Sequence, residues 1–294
     1  VKYINIEQVQ KHMDSRIFKN NLAKTIFFLA TLFGLVVLVT LIYRVYTQSI
    51  GWIDFQFLSS KLSTNADKAG ILGAILGTVW LMIVVAPVTM FLGVATAIYL
   101  EEYAKPGKVK TIIQTNIANL AGVPSVVFGI LGLTVFVRGM DLGNIVLAGG
   151  LTMSLLVLPI VVVASQEAIR AVPQFLREAS YGMGATKWQT IKNIVLPAAI
   201  PGILTGLILS LSRAIGETAP LVVIGIPALL ISLPEGIFDK FTVMPMQIYY
   251  WTVDAALVDE YANLAAATIV ILLIVLFLMN SIAIIIRNKF QKRF

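Results

Sequence analysis

No cysteine occurs in the chain, and histidine occurs once, at His12 in a polar N-terminal stretch. The first absence excludes a disulfide scaffold, thiolate-held zinc, iron–sulfur clusters and thiol catalysis. The second excludes a multi-histidine metal site. Charge is scarce too: 13% of the 294 residues are Asp, Glu, Lys or Arg, against about 25% in soluble domains. Hydrophobic residues make up 58%, and mean hydropathy is +0.89. One soluble core could not bury that much apolar side chain, so the solvent is lipid. Disorder is excluded on the same ground. A phosphate-cradling G-x-x-x-x-G-K-[ST] loop is also missing: Lys108 follows Pro106-Gly107 without the upstream glycine or the hydroxyl. Any nucleotide chemistry must come from a partner.

A hydrocarbon layer about 30 Å thick needs roughly 20 apolar helical residues. Six runs qualify, at about 25–46, 71–100, 112–137, 145–164, 197–226 and 264–286. They predict an all-α membrane protein with one transmembrane domain, 25–287, between a segment 1–24 and a tail 288–294. The basic stretch before the first run has the layout of a signal peptide. That run is too long for one and no small-x-small site follows it, so a retained span is expected. Lys and Arg are divided unequally between the connections. Sixteen lie in or beside 1–24, 101–111, 165–196 and the tail, and five lie on the other side (Arg44, Lys61, Lys68, Arg138, Lys240). The positive-inside rule then places both termini in the cytoplasm and reads the net charge of +7 as topology rather than nucleic-acid binding.

The longest inner connection, 165–196, is built for helices. Pro173 suits a first helical turn, and Phe175, Leu176, Ala179 and Met183 share a helical face. Gly182 and Gly184 end that helix, and Thr186 caps a second one over 187–195. Such a pair outside the membrane is either a lipid-surface element or a docking surface for a soluble partner. In the same stretch, Glu178-Ala179-Ser180, then Gly184, then Ile194, Leu196 and Pro197 resemble the EAA-x3-G-x9-I-x-L-P signature. That signature marks permease subunits of prokaryotic ABC importers, and only Ser180 departs from it. The resemblance implies the type I ABC importer permease fold and makes this loop the coupling element that fits a separate ATP-hydrolysing subunit. It also implies that ATP and Mg are bound by that partner and no cofactor by this chain.

The fifth run alone carries charge in its interior. Arg213 lies sixteen residues after Pro197, about 24 Å along a helix. A charge at such depth costs about 2.5–3.5 kcal/mol on insertion scales. Glu217, four residues on, is expected to share its helical face and neutralise it. One reading is an ion pair that stitches helices together. The other is an anion path, since the planar guanidinium suits a tetrahedral oxyanion. Thr218 adds a hydroxyl, and Pro220 bends or breaks the span.

The string from Arg213 to Leu221 (RAIGETAPL) resembles phosphate ABC importer permeases of the PstA type, as do Gly73–Thr78, Ala97–Ala104 and Asn116–Gly129. This implies an importer in the bacterial inner membrane with a homologous second permease as heterodimer partner, two ATPase subunits and an extracytoplasmic phosphate-binding protein. It also singles out Arg213, Glu217 and Thr218 for the substrate path. An importer of molybdate or sulfate is the nearest alternative. An intramembrane enzyme acting through Glu217 would want further acidic or histidine groups at matching depth, and a mere membrane anchor would leave Arg213 unexplained.

Weaker features have plainer expectations. Gly73-x-x-x-Gly77 and Gly202-x-x-x-Gly206 predict close packing within the chain. Trp52, Tyr249, Tyr250 and Trp251 read as an interfacial aromatic belt. Glu101-Glu102 reads as a solvated turn. The acidic segment 227–262 reads as a surface for a protein partner or as a short re-entrant helix around 245–256.

Overall fold

The computed structural model describes residues 6–227, 229–230 and 232–290; Lys2, Lys292 and Arg293 fall outside them, as does the side chain of His12. Among the described residues the only β pairing is one bridge between Ile145 and Lys240, and the remainder is helix and connection. The chain runs through α1 (Ile6–Ser49), α2 (Phe55–Ser59), α3 (Leu72–Ile98), α4 (Lys108–Leu120), α5 (Ser125–Gly132) and α6 (Val146–Arg170). It continues through α7 (Gln174–Gly182), α8 (Lys187–Thr190), α9 (Leu196–Gly216), α10 (Ala219–Val223), α11 (Met244–Asp254) and α12 (Glu260–Phe290). Five helical stretches are long and apolar enough to cross a bilayer, and α4 with α5 make a sixth if that bent pair is one span. The expected all-α polytopic membrane fold is what forms.

Helices α3 and α6 are the centre. Their contact buries Leu81, Val85, Met153 and Val157, and it is close because glycines line it. A Cβ on Gly150 would meet Val84 at 2.6 Å, and one on Gly93 would meet Val161 at 2.6 Å. Helix α9 lies against α6 in the same manner: Gly202 faces Ala168 and Gly206 faces Ala164. Both small-xxx-small pairs are therefore spent inside the chain, since Gly77 likewise abuts the Thr242 carbonyl. Helix α1 packs on α12, and its apolar side chains otherwise face outward.

Several boundaries differ from those the sequence predicts. Helix α1 starts by Ile6, so the span and the polar segment before it are one helix. The third run is not straight: α4 and α5, the latter extended by a π-helical turn over Leu133–Gly139, meet at 101°. Pro124 has no N–H to donate and keeps Val123 out of the α region, so the helix cannot pass through Gly122-Val123-Pro124. Helix α6 continues to Arg170, with Gln166 and Ile169 buried, so it runs past the end of the predicted apolar run at 164. Nor is 187–195 a separate helix. Thr186 caps α8 through a capping box with Gln189, and the helix then runs without a break from Lys187 to Gly216. A π turn over Ile191–Val195 makes this possible: the Leu196 N–H reaches back to the Ile191 carbonyl just before Pro197, which has no donor.

A cover over the start of α3 is made by 224–227, 232–243 and α11. Phe241 and Met244 are fully buried, and the Met244 N–H donates to the Thr78 hydroxyl at 3.1 Å. The expected short helix is α11. Trp251 belongs to the core beside Phe57 and not to a belt, with ring centroids 6.2 Å apart.

Candidate functional site

The fifth span stops inside the protein. Helix α9 ends at Gly216, and Glu217 is extended (φ −81°, ψ 127°) before α10 begins. Pro220 cannot donate to the Gly216 carbonyl, so the ladder ends there and α9 leaves carbonyls without helical partners. Glu217 is thus not on a helical face with Arg213, as a continuous helix would require. The pair forms across the break, with Arg213 Nε donating to Glu217 Oε1 at 3.3 Å. The Arg213 side chain is 49% exposed and that of Glu217 21%.

Neighbouring contacts set the depth of this break. Gly202 opposite Ala168 and Gly206 opposite Ala164 make α9 and α6 antiparallel. Arg213 is seven residues beyond Gly206, about 10 Å along the axis. That level corresponds to about Val157, close to the middle of Val146–Arg170. Pro220 gives an independent bearing, since a Cβ on Gly129 of α5 would lie 2.9 Å from its Cα. The break is thus level with the middle of α6 and carries a half-exposed guanidinium; irregular backbone at such a level of a membrane protein is tolerated where it lines a cavity or a protein seam. Thr218 is half-buried at the start of α10. Beside them, the Ser212 hydroxyl bonds Asn280 Oδ1 of α12 at 2.6 Å, a polar contact not predicted from sequence.

Beside the ends of α3 and α6, α7 and the start of α8 form a hairpin. Its turn satisfies the end of α7: the Gly184 N–H donates to Tyr181 O at 2.9 Å and the Ala185 N–H to Ser180 O at 3.2 Å. Gly184 takes φ +85° with open space where a Cβ would be. The Ser180 and Thr190 hydroxyls, 2.9 Å apart, tie the two arms. Leu176 turns inward, whereas Phe175 and Met183 point out, Met183 being 90% exposed. A groove of about 500 Å³ between the arms brings together Ala179, Ser180, Gly184 and Ile194. Glu178 is exposed beside it, while Leu196 and Pro197 lie higher, on the continuous helix.

The reading of Glu101-Glu102 as a solvated turn does not hold. Both sit in a π turn (Tyr99–Tyr103) that prolongs α3, with side chains 11% and 8% exposed. Glu101 accepts from Arg170 at 2.7 Å, Gln166 at 2.9 Å and Gln114 at 3.3 Å. Glu102 pairs with Arg177 of α7 at 3.0 Å. The signal in the sequence was two adjacent carboxylates ending one span and two arginines seven residues apart in the next inner loop.

The class of protein follows from its relatives. The model of the binding-protein-dependent transport system inner membrane component family matches residues 89–294, and the chain belongs to that family. It is 34% identical over 207 residues to the probable ABC transporter permease protein YqgI of Bacillus subtilis, covering 70% of each chain. To the phosphate transport system permease protein PstA of Mycobacterium leprae it is 35% identical over 268 residues, 87% of this chain and 86% of that one. In fold it is similar to a chain of a bacterial alginate ABC transporter in complex with an alginate-bound periplasmic protein (TM-score 0.66, 17% identity, 92% and 94% covered). The chain is therefore a multi-pass inner-membrane pore subunit of an ABC importer.

Proposed function

We propose that this chain forms half of the pore of an ATP-driven importer of inorganic phosphate. Arg213 carries the reading: a guanidinium at mid-depth, on a broken helix, whose fork is only partly engaged by Glu217. Its remaining donors suit a tetrahedral oxyanion, with the Thr218 hydroxyl next in line. The similarity to a phosphate transport permease of M. leprae supports the same substrate. The partners on this reading are a homologous second permease, two ATP-binding subunits that hold ATP and Mg, an extracytoplasmic phosphate-binding protein and the surrounding lipid. Uptake of labelled phosphate by cells dependent on this chain should be suppressed by arsenate and not by sulfate or molybdate. Equal suppression by sulfate or molybdate would replace phosphate by another oxyanion.

The hairpin α7–α8 is, on this reading, the ATPase contact, formed by Glu178, Ala179, Ser180 and Gly184 with Ile194, Leu196 and Pro197 behind them. Exposed Phe175 and Met183 support it, and so does the bias of sixteen cations to five toward this face, which puts both termini in the cytoplasm. Gly184→Asp strains the turn at its left-handed φ and adds a charge there, but its Cβ would meet no neighbour within 4 Å, so the disturbance stays in the hairpin. We expect normal membrane levels but loss of the ATPase subunits from the purified complex. Full retention of the ATPase with normal uptake would remove the assignment.

A further inference from the structure

The ion pair between Arg177 and Glu102 has a geometry that a surface salt bridge lacks. Arg177 uses all three guanidinium nitrogens. Nε and Nη2 donate to Glu102 Oε1 at 3.2 and 3.0 Å, Nη1 donates to the Val172 carbonyl at 2.6 Å, and Nη2 also donates to the Ile169 carbonyl at 2.9 Å. Its side chain is 12% exposed. One side chain of α7 therefore holds the last turn of α6, the linker after it and the π turn that ends α3. These are the two helices at the centre of the bundle. Leu176 meets the bundle through apolar atoms, Ser180–Thr190 stays within the hairpin, and Lys187 of α8 lies over the Tyr103 ring at 5.0 Å, a contact with no hydrogen bonds to fix its direction. Arg170–Glu101 lies next to the pair but joins α6 to α3 without touching α7, and its arginine is half exposed.

We propose that Arg177 and Glu102 are the positioning pair that carries movement of the α7 hairpin into α3 and α6. The pair rests on the hairpin being the ATPase contact. Charge-assisted, multiply bonded contacts hold orientation as well as distance, whereas an apolar contact can slide. A π turn adds a residue to the helix and is a common site of local adjustment, so Glu102 sits where α3 can yield to a pull from its end.

The test uses the complete importer in proteoliposomes with its ATPase and binding-protein subunits, measuring solute uptake and ATP hydrolysis together. Glu102→Gln keeps shape and removes charge; Arg177→Lys keeps charge and removes the fork. Both are expected to retain the ATPase subunits and at least half of the hydrolysis rate. Solute moved per ATP should fall tenfold or more. The reversed pair, Glu102→Arg with Arg177→Glu, should recover several-fold over either single reversal. Normal uptake per ATP in both conservative variants would overturn the proposal. So would parallel loss of uptake, hydrolysis and ATPase retention, because that marks mere structural support. Gly184→Asp, run alongside, separates the two claims: if it keeps its ATPase subunits the docking assignment has failed, whatever Glu102→Gln does.

Discussion

Arg213→Lys is expected to reach the membrane at normal levels and to lose roughly 10- to 100-fold of its phosphate uptake. That range corresponds to one charge-assisted hydrogen bond, about 1.5–3 kcal/mol, since each 1.4 kcal/mol is about tenfold. Lysine keeps the charge that balances Glu217, so insertion is unaffected. It lacks the planar fork that could serve Glu217 and an oxyanion at once. A competing account makes Arg213 only the neutralising partner of Glu217, and the pair distance of 3.3 Å is compatible with that. The two accounts separate in the double variant Arg213→Gln with Glu217→Gln, where both charges vanish together. The path reading requires that this chain stay inactive at normal membrane level. Recovery of uptake in the double variant would reduce Arg213 to glue between helices, and the phosphate assignment would then rest on its relatives.

The largest structural loss should come from a single methyl group. A Cβ at Gly77 would collide with the carbonyl oxygen of Thr242, a backbone atom that has nowhere to retreat. Phe241 before it is fully buried, and Met244 beyond it is tied by its N–H to Thr78 one residue along α3. Overpacking of a filled core costs about 1–3 kcal/mol and more where the neighbour is immobile. Gly77→Ala should therefore lower the amount of chain in the membrane several-fold, the usual consequence of such a loss in cells. Gly73→Ala is the control, one turn earlier on the same helix: its nearest neighbour would be the flexible end of Leu233 at 3.6 Å. It should accumulate normally. Equal accumulation of the two variants would mean that the cover does not press on α3 as described.

Much of this protein was readable before folding was considered. Hydropathy and length alone mark the runs that become spans, because a span must bury about twenty residues wherever its neighbours lie. The glycine turn at Gly184 and the cap at Thr186 are local chemistry, and both form as their residue types require. Arg213 stands out because a charge among apolar residues is anomalous in any arrangement. Tertiary structure decided what those signals leave open. Pro87 lies inside an unbroken α3, Pro124 stops a helix, and Pro220 lies beyond the end of one. The missing N–H is the same each time, and the outcome depends on whether packing or a π turn compensates for the lost bond. Likewise Glu101 and Glu102 look solvated until arginines 69 and 75 residues away are brought to them. A pairing at that separation leaves no periodic trace in the chain. The burial of Glu101, Glu102 and Arg177 is likewise produced only by the assembled bundle.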